Sequence, residues 1–271
     1  MRSKKGFTLV ELLVVISIIA LLLSILMPSL RKAKLQAQFI VCKSNLRQYG
    51  LAGAMYLDDN DNAFPHPTYC IFSRESYWTP YNQHYHFWAC RWHDAGITPD
   101  GPFWPYIAEK DVHVCPTFRA IAKIRGKNHP WHDAAPVPIP IEPQFSYSMN
   151  GFLSAGDEGE DLILRNGADV QMPKLTDVKR PSAILFFTEE NIWTITYPVR
   201  LSDYPLNDTY FGPAKYGYGG DCIATFHKAH DPQLNTGVSN VLFVDGHVAE
   251  ESAWKRCPNF CHNSWYLCTQ N

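Results

Sequence analysis

The chain is predicted to be an α+β protein: a long N-terminal helix, transmembrane then amphipathic, packed on a C-terminal antiparallel β-sheet domain with long loops. This rests on three features. An apolar run fills residues 7–27, a helical period continues from it to about residue 60, and short β-branched runs bounded by proline or glycine occur near the C-terminus.

The run FTLVELLVVISIIALLLSILM is interrupted only by Thr8, Glu11, Ser17 and Ser24. Twenty-one helical residues reach about 31 Å, close to the hydrocarbon thickness of a bilayer. Arg2, Lys4 and Lys5 precede it, and a positive flank stays in the cytoplasm, so the remainder should emerge on the opposite side. The run is too long for a secretory signal peptide, and Pro28, Ser29 and Leu30 follow it in place of a small-residue cleavage site. A retained anchor is therefore expected. Glu11 stands out, because a charged group inside a bilayer costs on the order of 2.5–3.5 kcal/mol on insertion scales. It needs either a partner or, four residues into the run, access to interfacial water.

Beyond Pro28 the pattern becomes amphipathic. Cys42, Leu46, Tyr49, Gly53 and Tyr56 step by four, three, four and three, which places them on one helical face turned towards the rest of the protein. Arg31, Lys32, Lys34, Lys43 and Arg47 form the polar side, a solvated face whose membrane-proximal part could touch lipid headgroups. The helix should stop at Leu57 to Asp59, where Asp58, Asp59, Asn60, Asp61 and Asn62 supply turn formers ahead of Pro65 and Pro67. This acidic turn lacks the spacing and glycine of an EF-hand loop.

Charged residues make up 18% of the chain and the net charge is −2, so nothing suggests nucleic acid as a partner. Eight cysteines, Cys42, Cys70, Cys90, Cys115, Cys222, Cys257, Cys261 and Cys268, are many for a reducing cytosol; disulfides outside the cytoplasm are expected, with connectivity left open. Residues 63–150 are rich in proline and aromatics, among them Trp78, Tyr81, Tyr85, Phe87, Trp88, Trp92, Trp104 and Tyr106, and read as loops and short strands with the rings filling a core. His84, His86, Cys90 and His93 match no familiar zinc spacing, and disulfide pairing is preferred there as for Cys257, Cys261 and Cys268 beside His262. No metal or other cofactor is expected. Catalytic serine, zinc-protease and phosphate-loop motifs are missing from the sequence, so no enzymatic role is expected. The segments 183–188 and 238–244 read as buried strands, and Asp245-Gly246 as the turn that sends His247-Val248 back as a hairpin partner.

The stretch Lys5-Gly6-Phe7-Thr8-Leu9-Val10-Glu11-Leu12-Leu13 resembles the prepilin processing motif of type IV pilins and type II secretion pseudopilins. The resemblance implies a leader at 1–6, cleavage between Gly6 and Phe7 by a prepilin peptidase/methyltransferase, and methylation of the new Phe7 terminus. It implies a transmembrane helix at 7–28, an amphipathic continuation at 29–60 and an extracytoplasmic β-rich domain at 61–271. Glu11 would pair with the amino terminus of a neighbouring pilin-like subunit. Pro28 matches a proline common at that point of the family's helices, where a kink or locally melted turn is expected. The segment 240–248, with Asn240, Phe243, Asp245, Gly246 and His247, resembles the C-terminal signature of a pilin-like group known for an H-x9-DG motif. Cys115-Pro116 and residues 146–150 resemble that group's middle segments. Asn235 stands where nine-residue spacing would put the histidine, and the nearest upstream histidines are His230 and His227. The implied function is a filament subunit, of minor or specialised type given the size of the outer domain, working with an inner-membrane secretion or pilus assembly platform. The implied location is the bacterial inner membrane, N-terminus inside. The alternative is a membrane-anchored module that binds a glycan or a secreted protein.

Overall fold

Thr8 opens the helix that dominates the chain. In the computed structural model, which describes residues 8–71, 99–125, 142–153, 173–190, 210–211, 223–229, 234 and 236–254, helix α1 runs from Leu9 to Asp59. At 51 residues it is about 77 Å long. Thr8 and Glu11 form a capping box at its start. The Thr8 hydroxyl accepts the Glu11 N–H at 3.3 Å, and Glu11 Oε2 accepts the Thr8 N–H at 2.8 Å and its hydroxyl at 2.7 Å. The helix stops where the run of Asp and Asn predicts. Asn60 donates its N–H back to Leu57 O, and Asp61 and Asn62 take positive φ of 53° and 62°, which their short polar side chains tolerate.

Of the kink or locally melted turn expected at Pro28, the second does not form: the helix passes unbroken through that residue. Pro28 lacks the N–H that would bond Ser24 O, but one missing bond does not stop a helix flanked by strong helix formers on both sides. No residue of α1 before Phe39 is buried, and Leu9 is 79% exposed. Among the described residues, the first half is thus an apolar rod left uncovered.

The second half packs on a five-stranded sheet of order β3-β1-β2-β4-β5, comprising β1 (Tyr147–Asn150), β2 (Leu185–Glu189), β3 (Tyr210–Phe211), β4 (Thr236–Phe243) and β5 (Val248–Trp254). The pairs β1–β2, β2–β4 and β4–β5 are antiparallel, and the two-residue β3 runs parallel to β1 at the edge. The apolar runs read from the sequence are β2 and β4, displaced by one or two residues. Between β4 and β5 the predicted turn forms, with Gly246 at φ 88° donating to Phe243 O, and Phe243 donating to His247 O. A second helix, α2 (Pro116–Arg125), lies within the stretch read as loops and strands. Its ten residues are too few for the periodicity to stand out beside so many prolines and aromatics.

The main core lies between α1 and the sheet. Cys42, Leu46, Tyr49 and Ala52 of α1 bury against Phe103, Phe118, Tyr147, Phe186, Phe187 and Leu242. The predicted helical face is therefore the packed one, with Gly53 also buried and Tyr56 half-buried. A register shift in β2 between Leu185 and Phe187 acts as a bulge and turns the consecutive Phe186 and Phe187 into the same core. Leu185, Phe211, Val241 and Phe243 form a smaller cluster apart from it. At the centre, the Tyr49 ring meets Phe103, His113, Tyr147 and Phe187 at 4.9–6.2 Å. Burial holds His113 down at about 4, so it is neutral. Its Nε2 faces Ile107 O at 2.9 Å and must carry the proton; Nδ1 is then the acceptor for the Tyr49 hydroxyl at 2.6 Å. Of the aromatic segment, Trp104 stacks on His113 and Tyr106 packs on Tyr56, while 72–98 lies outside the described residues.

Candidate functional site

Two places carry functional side chains. The first is the amino end of α1. Gly6 and Phe7 lie outside the described residues, and Glu11 and Pro28 sit on the uncovered part of the helix. The sequence reading missed the capping box, although the Thr-x-x-Glu spacing signals one. Glu11 thus has a local role. Its carboxylate offers about four lone-pair sites, and two bonds to Thr8 leave capacity for another donor.

The second place is buried, and the sequence reading did not assemble it. Cys42, Cys115, Glu189 and His227 turn one potential ligand atom each into a common point, all four within 4.8 Å of one another. Each arrives from a different element. Cys42 lies on the buried face of α1, four residues before Leu46. Cys115 precedes α2: its carbonyl accepts the Arg119 N–H at 2.9 Å, the first bond of the helix, and Pro116 fills the following position, where no N–H is needed. Glu189 ends β2 with the same parity as core-facing Phe187. His227 sits in a segment that crosses β4, bridging to Val238. That crossing requires Gly237, since a Cβ there would lie 1.9 Å from Thr225 O and 2.7 Å from His227 O.

The distances are short and burial is nearly total. Glu189 Oε1 lies 3.1 Å from Cys42 Sγ and 3.1 Å from His227 Nε2; Glu189 Oε2 lies 2.9 Å from the same nitrogen; Cys115 Sγ is 3.5 Å from it. The side chains of His227 and Glu189 are 2% and 0% exposed. Glu189 Oε2 has no hydrogen bond despite that proximity, because the geometry directs no donor at it. Burial penalises the ionised Glu189, but the His227 charge and hydrogen bonds from His227, Cys115 and Cys42 override it and hold the carboxyl below its usual range. Burial likewise opposes the charged imidazole, and Glu189 with Cys42 raises His227 to about 10. Burial pushes the Cys115 thiol well up. For Cys42, burial is outweighed by hydrogen bonds from Cys115 and His227, and its thiol moves down.

Around this centre, Tyr147 places its hydroxyl 3.5 Å from Cys42 Sγ, and the Phe118 N–H donates to Cys115 Sγ at 3.5 Å. The register that pairs Phe187 with Leu242 and Thr188 with Val241 brings Asn240 opposite Glu189; both side-chain polar atoms of Asn240 are buried without a hydrogen bond.

Disulfide pairing is not what Cys42 and Cys115 show. Both are buried free thiols that converge with Glu189 and His227 in place of bridging. Cys90, Cys222, Cys257, Cys261 and Cys268 lie outside the described residues, as do His84, His86, His93 and His262. In the C-terminal motif, Asp245 Oδ1 accepts the His247 N–H at 3.1 Å and pairs with its ring, which stacks on Phe243 at 4.4 Å. Those contacts stabilise the turn. Of the two histidines upstream, His227 reaches the cluster and His230 lies outside the described residues.

Comparison with known proteins speaks to the first place. Residues 1–27 match the family described as the prokaryotic N-terminal methylation motif. The N-terminal part of the chain is 44% identical over 62 residues to the type IV wide pilus major component PilA4 of Thermus thermophilus. That match covers 23% of this chain and 47% of the relative, so the chain spans about half the length of the curated relative it matches. No solved structure gives a significant match. The chain carries a prepilin N-terminal methylation motif, and the one long apolar helix among the described residues fits the membrane anchor of a pilin.

Proposed function

We propose that this chain is a prepilin-type subunit, cleaved between Gly6 and Phe7, methylated on Phe7, and assembled through α1 into a type IV pilus-like filament or a type II secretion pseudopilus. The observation that carries the reading is the methylation motif at 1–27 on a helix whose apolar half is bare among the described residues. Such a surface is satisfied by lipid before assembly and by the helices of other subunits after it. The leader would stay in the cytoplasm and the domain beyond residue 60 would stand outside the inner membrane, on the side opposite the basic flank. A prepilin peptidase/methyltransferase, further pilin-like subunits and an inner-membrane assembly platform are the partners this requires. The protein itself needs no catalysis in that role.

Glu11 is assigned to pairing with the amino terminus of the next subunit, where two opposite charges in a low dielectric fix the stagger between helices. Its capping role and its assembly role separate experimentally. Glu11→Gln preserves the capping spacing, since glutamine serves at that position, but removes the charge; Thr8→Val removes the cap and keeps the charge. Cysteine crosslinking between α1 helices in membranes is expected to fall sharply for Glu11→Gln and to persist for Thr8→Val. The reverse order would reduce Glu11 to a helix cap.

A further inference from the structure

Four Lewis bases of mixed type converge in the core, from residues scattered along the chain between Cys42 and His227. A set of two sulfurs, one imidazole nitrogen and one carboxylate oxygen is poorly matched as a hydrogen-bond network. His227 Nε2 can offer one proton, yet two carboxylate oxygens and a sulfur stand within 2.9–3.5 Å of it. Glu189 Oε2 is left with no donor and Asn240, opposite it, with no partner at either end. Buried polar atoms are paired as a rule, and several failures at one point call for a missing group.

We propose that Cys42, Cys115, Glu189 and His227 form a structural site for a tetrahedral divalent transition-metal ion of the zinc class. With bonds of about 2.0–2.3 Å, a tetrahedral zinc spaces its ligands about 3.3–3.8 Å apart; here the neighbouring atoms are 2.9–3.5 Å apart and all four lie within 4.8 Å of one another, so small side-chain shifts suffice. Mixed thiolate, imidazole and carboxylate donors suit zinc, whereas calcium and magnesium select all-oxygen sets. Four protein ligands, all buried, leave no coordination position open to solvent, which marks a structural and not a catalytic site. The surroundings fit the role. Cys115 stands at the N-terminus of α2, where the helix dipole favours a thiolate, and the Phe118 N–H and Tyr147 hydroxyl approach the two sulfurs as outer-shell donors. Binding releases the two thiol protons and the proton on His227 Nε2 to solvent, since each of these atoms ligates only when deprotonated. The ion would pin α1, α2, β2 and the segment crossing β4 at one point, fixing the outer half of the long helix to the sheet.

The test uses the full-length chain, reduced, stripped of metal and held in detergent, with Co2+ as the probe. One Co2+ per chain is expected to give thiolate-to-cobalt charge-transfer absorption, displaced by equimolar Zn2+. Cys42→Ser and Cys115→Ser should each abolish that absorption; Cys90→Ser and Cys257→Ser should leave it intact. Since substitution in a core can unfold the chain, X-ray absorption of the unsubstituted Zn2+-loaded protein gives a second readout, with two sulfur and two nitrogen or oxygen neighbours expected. No stoichiometric Co2+ binding, absorption indifferent to both Cys42→Ser and Cys115→Ser, a four-sulfur zinc shell, or a Cys42–Cys115 disulfide in protein isolated from metal-replete membranes would each overturn the assignment.

Discussion

Tyr49→Phe removes a single oxygen from the centre of the helix–sheet core, and its cost follows from the proton on His113. Tyr49 is fully buried, and its hydroxyl donates to His113 Nδ1 at 2.6 Å while His113 Nε2 donates to Ile107 O. The phenylalanine ring keeps the contacts with Phe103, Tyr147 and Phe187. What remains is a buried imidazole acceptor with no donor, a defect that costs about 1–3 kcal/mol. At about 2–4 °C per kcal/mol for a chain of this size, the melting temperature should fall by roughly 2–12 °C. Urea unfolding of the detergent-solubilised chain, followed by near-UV circular dichroism, measures this at unchanged m-value. Tyr106→Phe is the control, the same change at the surface, where the hydroxyl donates to Asp59; it should leave the midpoint unmoved. Equal effects from the two substitutions would refute the assigned tautomer and the buried bond built on it.

Gly237→Ala places a methyl against the backbone oxygens of Thr225 and His227, which cannot move aside as a side chain could. The cost should reach or exceed the upper end of about 1–3 kcal/mol, with the His227 ring resonances displaced in an NMR spectrum of the variant. Gly246→Ala asks alanine to hold φ 88° in an otherwise uncrowded turn, so about 1–2 kcal/mol should be lost with β4 and β5 still paired, as read by thermal unfolding and amide exchange.

Much of the architecture was legible because it is written in local patterns. The apolar run gave the exposed half of α1, the spacing of Cys42, Leu46 and Tyr49 gave its packed face, and Asp58 to Asn62 gave its end. Gly246 gave the hairpin, since that turn needs a residue free to take positive φ. Helix α2 was hidden by its length, and Pro28 proved weaker as a breaker than its chemistry suggested because strong helix formers continue on either side. The buried cluster was illegible for a different reason. Its four members are scattered over the chain, and only three-dimensional folding brings them together. Two signals were nonetheless available. Cys42 shares a face with Leu46 and Tyr49, and Glu189 continues the core-facing parity of Phe187, a carboxylate where a strand should bury an apolar residue. Counting cysteines as disulfides masked the first.

The account rests most heavily on processing at the amino end, and mass spectrometry of the mature N-terminal peptide tests it most directly. In cells that contain the prepilin peptidase, the peptide is expected to begin at Phe7 and to carry one methyl group on its amino nitrogen. A peptide beginning at Met1, or a chain cut beyond Pro28 so that the apolar helix is lost, would contradict it.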